Sequence, residues 1–396
     1  MKKVAFLYAT FPRPTETFVR RELRTLAKFE FFPDLYSIWK GDNSWENRKI
    51  EKFQVYKLAL LFVWIPYWFV LKPRECRDVL SYLWSNPCHS FQNWCETFLG
   101  LGFALTEARN FKKNGYQLIH AVWATMPATA AFTISKLQSI EFSMGAHAYD
   151  VFRNGGDWLL QSKLTSSKFV RTSSESTARR LYQLGVKPAG VKLVRRSLSD
   201  WPKREHFGLT EGRTIKLLSV GRLVEKKGYF HMLKIAALLK RSSVPFVLEV
   251  IGNGPLLMDL NIERDRLGLS KMVFFSGSLE QKSVKQLYLK YDAFLFTGIV
   301  DSKGDRDGIP NVVPEALAAG MLVLASDRAG APEAFIDGES GFSMNPEDYD
   351  SWNSLLLDFW KSPQNYVPIR RNAQDRAREN FDSSQNGRKL LDIFID

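Results

Sequence analysis

Two carboxylates separated by seven residues form the pattern with the clearest chemistry in the second half of the chain. The segment from Asp307 to Gly320 reads DGIPNVVPEALAAG, and its second acid is Glu315. We predict a loop as far as about Pro310 and then a helix with Pro314 in its first turn, where a proline costs least. A carboxylate before the helix and another one turn inside can hold vicinal hydroxyls of a sugar and a ribose. The alternative is that Asp307 only starts the helix and Glu315 is a surface acid.

The backbone between these acids is the second feature of this segment. Amide groups at the start of a helix have no partner inside the helix, and the helix dipole favours an anion there. We therefore expect this stretch to bind a phosphate or sugar, and the candidate binding residues are Asp307, Gly308, Ile309, Pro310, Asn311 and Glu315.

Two cations follow a predicted strand in the segment SVGRLVEKKG, which runs from Ser219 to Gly228. Gly221 permits a tight turn and a close approach of the backbone to a ligand. Arg222 and Lys227 place two positive charges after the strand, and fixed cations stabilise the charge that develops on a departing diphosphate. The alternative is that both are solvated cations at the start of a helix.

A glycine-rich turn, Gly252-Asn253-Gly254-Pro255, follows the next predicted strand. Gly254 is a candidate residue for the nucleotide side of the site. The turn does not complete G-x-G-x-x-G, and no such motif follows the first strand of the chain, which disfavours a dinucleotide-dependent dehydrogenase.

The first half carries two further candidate groups. His147 and Asp150 lie in GAHAYD, directly after a predicted strand, where α/β sheets place their ligands. Asp150 is three residues beyond His147, so we expect it to orient the imidazole. Thr15, Glu16 and Thr17 lie in PRPTETF after the first strand and either face a ligand or form a capping box at a helix start.

The elements that must position these groups alternate between short apolar runs and longer amphipathic runs, which is typical of βα units around a mostly parallel sheet. Such strands are predicted at residues 4–8, 116–123, 141–145 and 169–172. After a polar stretch at residues 195–207, a second series has strands at 214–220, 246–251, 273–276, 293–297 and 322–326. We therefore predict two α/β domains.

The charge is confined to one half of the chain. Residues 1–200 contain 29 Lys and Arg against 16 Asp and Glu, which is the whole net charge of +13, and they hold 8 of the 11 Trp. A basic half rich in tryptophan suits an anionic membrane surface, and the absence of zinc-finger spacing and basic-region heptads disfavours nucleic acid. The alternative is a solvated basic surface with buried Trp.

Three cysteines without metal-ligand spacing fit a reducing cytoplasm, and we predict no metal site. The segment LALLFVWIPYWFVL, from Leu58 to Leu71, has fourteen residues and an internal proline, which is too short to span a bilayer. We predict a buried or interfacial helix pair there, and a buried strand rather than a signal peptide at the N-terminus.

These motifs together make the chain resemble family 4 of the glycosyltransferases, with its GT-B fold, over nearly its whole length and most closely the polysaccharide-assembly members. That family has Glu where this chain has Asp307, which shortens the arm by one methylene. The resemblance implies two Rossmann-like domains with parallel sheets that face each other across a cleft. It assigns the acceptor to residues 1–198, joined by a C-terminal helix at 375–396, and the nucleotide sugar to residues 199–374.

The resemblance also implies roles for the candidate residues. Arg222 and Lys227 would stabilise the diphosphate without a metal or cofactor, His147 would contact the donor sugar, and Thr15, Glu16 and Thr17 would face the acceptor or the diphosphate. The expected reaction moves a hexose, with retention, from a UDP- or GDP-sugar to a saccharide or lipid-diphosphate-linked acceptor. This would occur in the cytoplasm at the inner face of the membrane.

Three alternatives stay open at this point. An epimerase or a phosphorylase can use the same fold, because fold does not fix function. A catalytically silent GT-B protein that binds a nucleotide sugar or a partner subunit is the third, and the departure at Asp307 is the feature that favours it.

Overall fold

The computed structural model describes residues 2–13, 16–88, 90–198, 204–207 and 212–395. It divides the chain into two compact units, one of residues 1–197 with 384–396 and the other of residues 198–383. The C-terminal segment joins the first unit from residue 384, whereas the predicted segment began at 375. Residues 375–383 stay with the second unit because the helix that contains them packs its Ala373, Ala377 and Phe381 into that unit's core.

The first unit is built on a sheet of eight strands with the order β3-β4-β2-β1-β5-β6-β7-β8. All neighbouring strands are parallel except β3 and β4, which form an antiparallel pair. The strands are β1 (Val4–Phe11), β2 (Asp34–Gly41), β3 (Ser44–Trp45), β4 (Arg48–Lys52), β5 (Leu118–Ala121), β6 (Glu141–Gly145), β7 (Val170–Thr172) and β8 (Val191–Leu193).

Helices connect these strands and cover the sheet, as parallel strands require. They are α1 (Thr17–Ala27), α2 (Leu61–Leu71), α3 (Pro73–Ser85), α4 (Phe91–Lys113), α5 (Met126–Gln138), α6 (Tyr149–Phe152), α7 (Leu160–Ser166) and α8 (Glu175–Gln183), with 3-10 turns at Val55–Leu60, Arg153–Gly155 and Pro188–Gly190. The central strands β1, β5 and β6 are buried on both faces and therefore read as continuous apolar runs.

The second unit contains a six-stranded, fully parallel sheet with the order β11-β10-β9-β12-β13-β14. The strands are β9 (Ile215–Val220), β10 (Phe246–Ile251), β11 (Val273–Phe275), β12 (Ala293–Phe296), β13 (Leu322–Ser326) and β14 (Phe342–Met344). This is the doubly wound order, in which the chain leaves β9 to one side and returns to its other side at β12. Ligands bind at the carboxyl ends of the strands at such a switch point.

The helices of the second unit lie on both faces of this sheet. They are α9 (Tyr229–Arg241), α10 (Leu257–Arg266), α11 (Gln281–Lys290), α12 (Val312–Ala318), α13 (Tyr349–Lys361) and α14 (Val367–Phe381), with 3-10 turns at Glu225–Lys227, Ala331–Ala334 and Pro363–Tyr366. The last helix of the chain, α15 (Ser383–Ile395), returns to the first unit, where Leu390, Leu391 and Phe394 enter a buried cluster with β1 and α1. The predicted α/β class and its parallel sheets are confirmed.

Candidate functional site

Three loops converge at the carboxyl ends of β9, β10 and β12 in the second unit. Close backbone contacts join them, and each contact requires a glycine. A Cβ on Gly228 would lie 1.8 Å from the carbonyl oxygen of Thr297, and one on Gly252 would lie 1.9 Å from that of Gly221. A Cβ on Gly254 would lie 2.4 Å from the carbonyl oxygen of Leu223. The glycines that the sequence singled out therefore bring the loops together.

Lys227 and Asp307 meet where these loops converge. The Lys227 Nζ atom donates to Asp307 Oδ2 at 2.7 Å, and the ammonium lies 5.4 Å from the centre of the Phe296 ring. Both side chains are largely buried. Burial by itself raises the pKa of Asp307, but Lys227 and then Lys226 outweigh it and hold that pKa below its usual range. Asp307 is therefore ionised at neutral pH and pairs with a charged lysine.

Lys226 is a second buried cation of this site that the sequence interpretation left out. Its ammonium lies 3.0 Å from Asp305 Oδ2 and 3.5 Å from Asp307 Oδ1. The adjacent lysines and the Asp-x-Asp spacing of Asp305 and Asp307 could have indicated this cluster from the sequence. Consecutive residues of the 3-10 turn over Glu225–Lys227 point in different directions, yet both long lysine side chains reach Asp307, at 3.5 and 2.7 Å.

Arg222 differs from these lysines because its side chain is exposed. No described residue accepts a hydrogen bond from its guanidinium or forms an ion pair with it. It follows Gly221, where a Cβ would lie 3.6 Å from Lys227 Cε. Arg222 is thus a cation beside the buried pair that remains available to an anion from solution.

Glu315 lies inside the short helix α12 and is 6% exposed. It accepts a hydrogen bond at 3.2 Å from the hydroxyl of Tyr288, a fully buried residue of α11. The predicted alternative of a surface acid is therefore wrong. Nothing in the local sequence indicates the partner on α11.

The backbone before α12 is more covered than we predicted. Gly308, Ile309 and Pro310 are buried, and the carbonyl carbon of Gly308 lies 2.7 Å from where a Cβ on Gly330 would stand. Asn311 immediately precedes the helix and is half-buried. Tight packing against the loop at Gly330 thus fixes this segment, and the amide of Gly330 donates to the carbonyl of Asp307 at 3.0 Å.

His147 lies at the carboxyl end of β6 in the first unit and is 3% exposed. Its ring packs edge-on against Trp123 and Phe18, with centroids 5.1 and 6.1 Å away. Neither ring nitrogen makes a hydrogen bond of normal geometry with a described residue. Burial, together with Arg196 and Arg171, holds the pKa of His147 well below its usual value, so the imidazole is neutral at physiological pH.

Asp150 does not orient the His147 ring, and that prediction is wrong. Its Oδ1 atom accepts from the backbone amides of His147 and Ala148 at 2.9 and 3.0 Å, and its Oδ2 atom accepts from the amide of Ala124 at 3.1 Å. The side chain is 1% exposed. A short carboxylate three residues after His147 reaches the backbone amides of its own turn, as Asx caps do.

Glu16 immediately precedes α1, and Thr17 is the first residue of that helix. The Glu16 carboxylate lies 3.4 Å from Arg13, and Thr17 Oγ1 accepts from Arg21 at 3.4 Å. Glu16 makes no side-chain cap at the helix start. The predicted residue Thr15 lies outside the described residues.

Arg196, in the polar stretch at residues 195–207, is a further cation of the first unit. Its guanidinium stacks over the Phe18 ring at 3.7 Å from the centroid, and burial lowers its pKa to about 10. Nearby, Arg171 forms a two-pronged ion pair with Glu22 at 2.5 and 2.8 Å. The positive charges of these arginines add to burial, which is the main reason why the His147 imidazole is not protonated.

Comparisons with known proteins agree with this arrangement. Residues 200–379 match the family model described as glycosyl transferases group 1. The chain is 24% identical to a putative colanic acid biosynthesis glycosyltransferase, WcaL of Salmonella typhimurium, over 99% of both chains. It is 26% identical to a GDP-mannose-dependent phosphatidylinositol monomannoside mannosyltransferase of Mycolicibacterium smegmatis over 59% of this chain and 60% of that protein.

The fold has close counterparts among solved structures. Anabaena HepE in complex with UDP and glucose superimposes with a TM-score of 0.71 at 16% identity, covering 100% of this chain and 99% of the other. With the two parallel sheets described above, this superposition shows that the chain has the GT-B fold, and its second unit carries the match to the group 1 glycosyl transferases over residues 200–379.

Proposed function

We propose that this enzyme moves a hexose from a nucleotide sugar, with retention, to a saccharide or lipid-diphosphate-linked acceptor during surface polysaccharide assembly. The observation that carries the proposal is the cluster of Lys226, Lys227 and Asp307, in a loop that also carries the exposed Arg222 directly after Gly221. Relatives named for colanic acid and amylovoran biosynthesis support a role in polysaccharide assembly. UDP in HepE and GDP-mannose in the mycobacterial relatives support a UDP- or GDP-sugar.

The proposed chemistry follows from the charges. Breaking the bond between the sugar and the diphosphate places negative charge on the leaving oxygen, and preorganised cations stabilise that charge without reorganisation. We expect the Arg222 guanidinium to bind the diphosphate, because no described residue forms an ion pair with it. Lys227 is held in place by Asp307 and adds a second cation. We propose that these cations replace a divalent metal and that the enzyme needs no cofactor.

Asp307 and Glu315 would hold the sugar and ribose hydroxyls. Both are buried acids in one loop-helix segment, and an ionised carboxylate accepts a hydroxyl hydrogen bond about twice as strongly as a neutral group. His147 would hydrogen-bond the sugar through a neutral imidazole. Glu16 and Thr17 would face the acceptor, and the protein would work as a peripheral enzyme at the inner face of the membrane.

The experiment that tests this function is a donor screen with UDP-, GDP- and ADP-sugars, with and without a chelator. We expect transfer or slow hydrolysis with one donor class and no effect of the chelator. Strict dependence on an added divalent metal would overturn the proposed role of the cations. A donor that binds but is neither transferred nor hydrolysed would favour the catalytically silent protein to which Asp307 points.

The acid segment yields a prediction of its own. Glu315→Gln should weaken nucleotide binding about tenfold, close to 1.4 kcal/mol, because the amide accepts a ribose hydroxyl less strongly than the carboxylate does. Gln keeps the volume of the side chain and can still accept from Tyr288, so the fold should persist. Titration calorimetry with the donor nucleotide measures the change.

Asp307→Glu is the companion variant, since it restores the residue that the resemblance leads us to expect. It should match or exceed the wild-type turnover. If Asp307→Ala and Glu315→Gln both left transfer intact, the segment would be purely structural.

A further inference from the structure

The most apolar surface of the first unit is formed by residues 55–85, which we call the helical elbow. It consists of the 3-10 turn Val55–Leu60 with α2, followed by α3, and the chain bends by 114° between its two arms. Among the described residues, no single helix is long and apolar enough to cross a membrane, although the two arms of the elbow together have the length and composition of a span.

The elbow packs one side against the core of the unit and exposes apolar side chains on the other. Phe62 is 76% exposed, Val70 is 82% exposed and Trp84 is 94% exposed, while Trp68 is the only residue of α2 that is buried. A surface helix normally presents charged residues to water. The stretch from Leu58 to Leu71 contains no charged residue, so its exposed side presents apolar side chains where a surface helix normally presents charges.

The elbow is held in this orientation by its polar contacts with α4. The indole nitrogen of Trp68 donates to the carbonyl of Leu105 at 2.7 Å, and Lys57 forms an ion pair with Glu107 at 2.6 Å. One face of α2 is therefore fixed to the unit, and the opposite face is displayed.

Cations border the apolar surface on both sides in sequence. Lys52 lies before the uncharged stretch Leu58–Leu71, and Arg74 and Arg77 lie after it in the first turns of α3, all three with exposed side chains. Residues 49–94 carry six Lys and Arg against three Asp and Glu, within a half-chain that holds the whole net charge of +13. Exposed cations on both sides of an apolar stretch in sequence, together with exposed Trp, match the charge and polarity of an anionic lipid interface.

We propose that the helical elbow lies in the plane of an anionic bilayer, with Phe62 and Val70 among the acyl chains and Lys52 and Arg74 at the headgroups. The bend of 114° suits two arms that rest in the interface rather than one helix that crosses it. A second copy of this chain would bring the same cations together, so the charge favours lipid as the occupant. This proposal rests on the peripheral location given under the proposed function and names the surface that would contact the membrane. It does not depend on catalytic activity.

Co-sedimentation of the full chain with vesicles tests the proposal without any donor. Wild type should bind phosphatidylcholine vesicles that contain phosphatidylglycerol, and high salt should weaken the binding because exposed charges are screened within about 8 Å at physiological ionic strength. Val70→Glu should reduce binding about tenfold or more. Met258→Glu is the matched control, since Met258 is 73% exposed on the second unit and should leave binding unchanged.

The cations have a separate test. The double variant Lys52→Ala, Arg74→Ala should lose roughly thirtyfold in binding to the anionic vesicles and little in binding to neutral ones. Transfer to a soluble acceptor should be unaffected in every variant, which shows that each is folded and separates this test from that of the donor site.

Two outcomes would overturn the proposal. One is equal vesicle binding by wild type, Val70→Glu and Met258→Glu. The other is a wild-type dimer in light scattering that Val70→Glu converts to a monomer, with no vesicle binding at low salt, which would assign the elbow to a second copy of the chain.

Discussion

Replacing Lys227 with alanine should lower turnover about a hundredfold, which corresponds to roughly 3 kcal/mol of transition-state stabilisation. The variant removes the cation proposed for the leaving diphosphate and also leaves Asp307 with Lys226 alone, at 3.5 Å. Arg222→Ala should have a similar effect on turnover and should leave the fold untouched, because the Arg222 side chain is exposed.

Steady-state kinetics with the donor found in the screen measure both effects. Lys271→Ala is the matched control, since Lys271 is an exposed cation of the same unit outside the three loops. A higher KM with unchanged turnover would mean that the two cations bind the donor equally in the ground state and the transition state. They would then not stabilise the leaving group.

Acidification should destabilise the first unit by up to about 2.7 kcal/mol for each pH unit below about 6.5, because two buried histidines each contribute about 1.36 kcal/mol. Burial lowers the pKa of His120 to about 3 and that of His147 well below its usual value. In the unfolded chain both take up a proton near pH 6.5, whereas in the folded protein they stay neutral. The unfolded state therefore binds more protons, and stability is full above pH 6.5 and falls as the pH drops towards the folded pKa values.

Urea unfolding followed by tryptophan fluorescence measures this dependence, since 8 of the 11 Trp lie in residues 1–200. His120→Gln should be less stable at pH 7, because His120 packs against Phe6 and Phe394 and bonds to Ser143. Its pH dependence should be about half that of the wild type. The exposed His206 serves as the control position for the same substitution. An unchanged slope in His120→Gln would contradict the assignment.

Long buried strands and their following glycines were readable from the sequence because each depends on local pattern. Apolar runs located β6, β7 and β13 to the residue or close to it, and glycines that permit close backbone contact marked the loops after β9 and β10. The strand β2 was missed, although it pairs with β1, because its run DLYSIWKG ends in a Trp, a Lys and a Gly.

Side-chain partners were harder to predict, since they depend on which loops the fold brings together. The pairing of Lys226 with Asp305, and of Glu315 with Tyr288, joins residues far apart in the chain. Asp150 differs because its partners are local. Its carboxylate accepts from the backbone amide of His147, whereas we expected it to orient the His147 ring.

The apolar stretch from Leu58 to Leu71 could not be assigned from composition because a core helix and an interfacial helix have the same residues. Which of its side chains are exposed depends on how the helix packs in the fold. In the structure Trp68 enters the core of the first unit and Trp64 packs against that core, whereas Phe62 and Val70 are exposed, so the stretch has one core face and one exposed face.

The anomeric configuration of the product tests the central proposal most directly. Proton NMR of a reaction with the preferred nucleotide sugar and a saccharide acceptor reports the configuration at the anomeric carbon as the new bond forms. We predict a product with the configuration of the donor, formed by wild type in the presence of a chelator and about a hundredfold more slowly by Lys227→Ala. A product of inverted configuration, or equal rates for the two proteins, would contradict retaining transfer by this site.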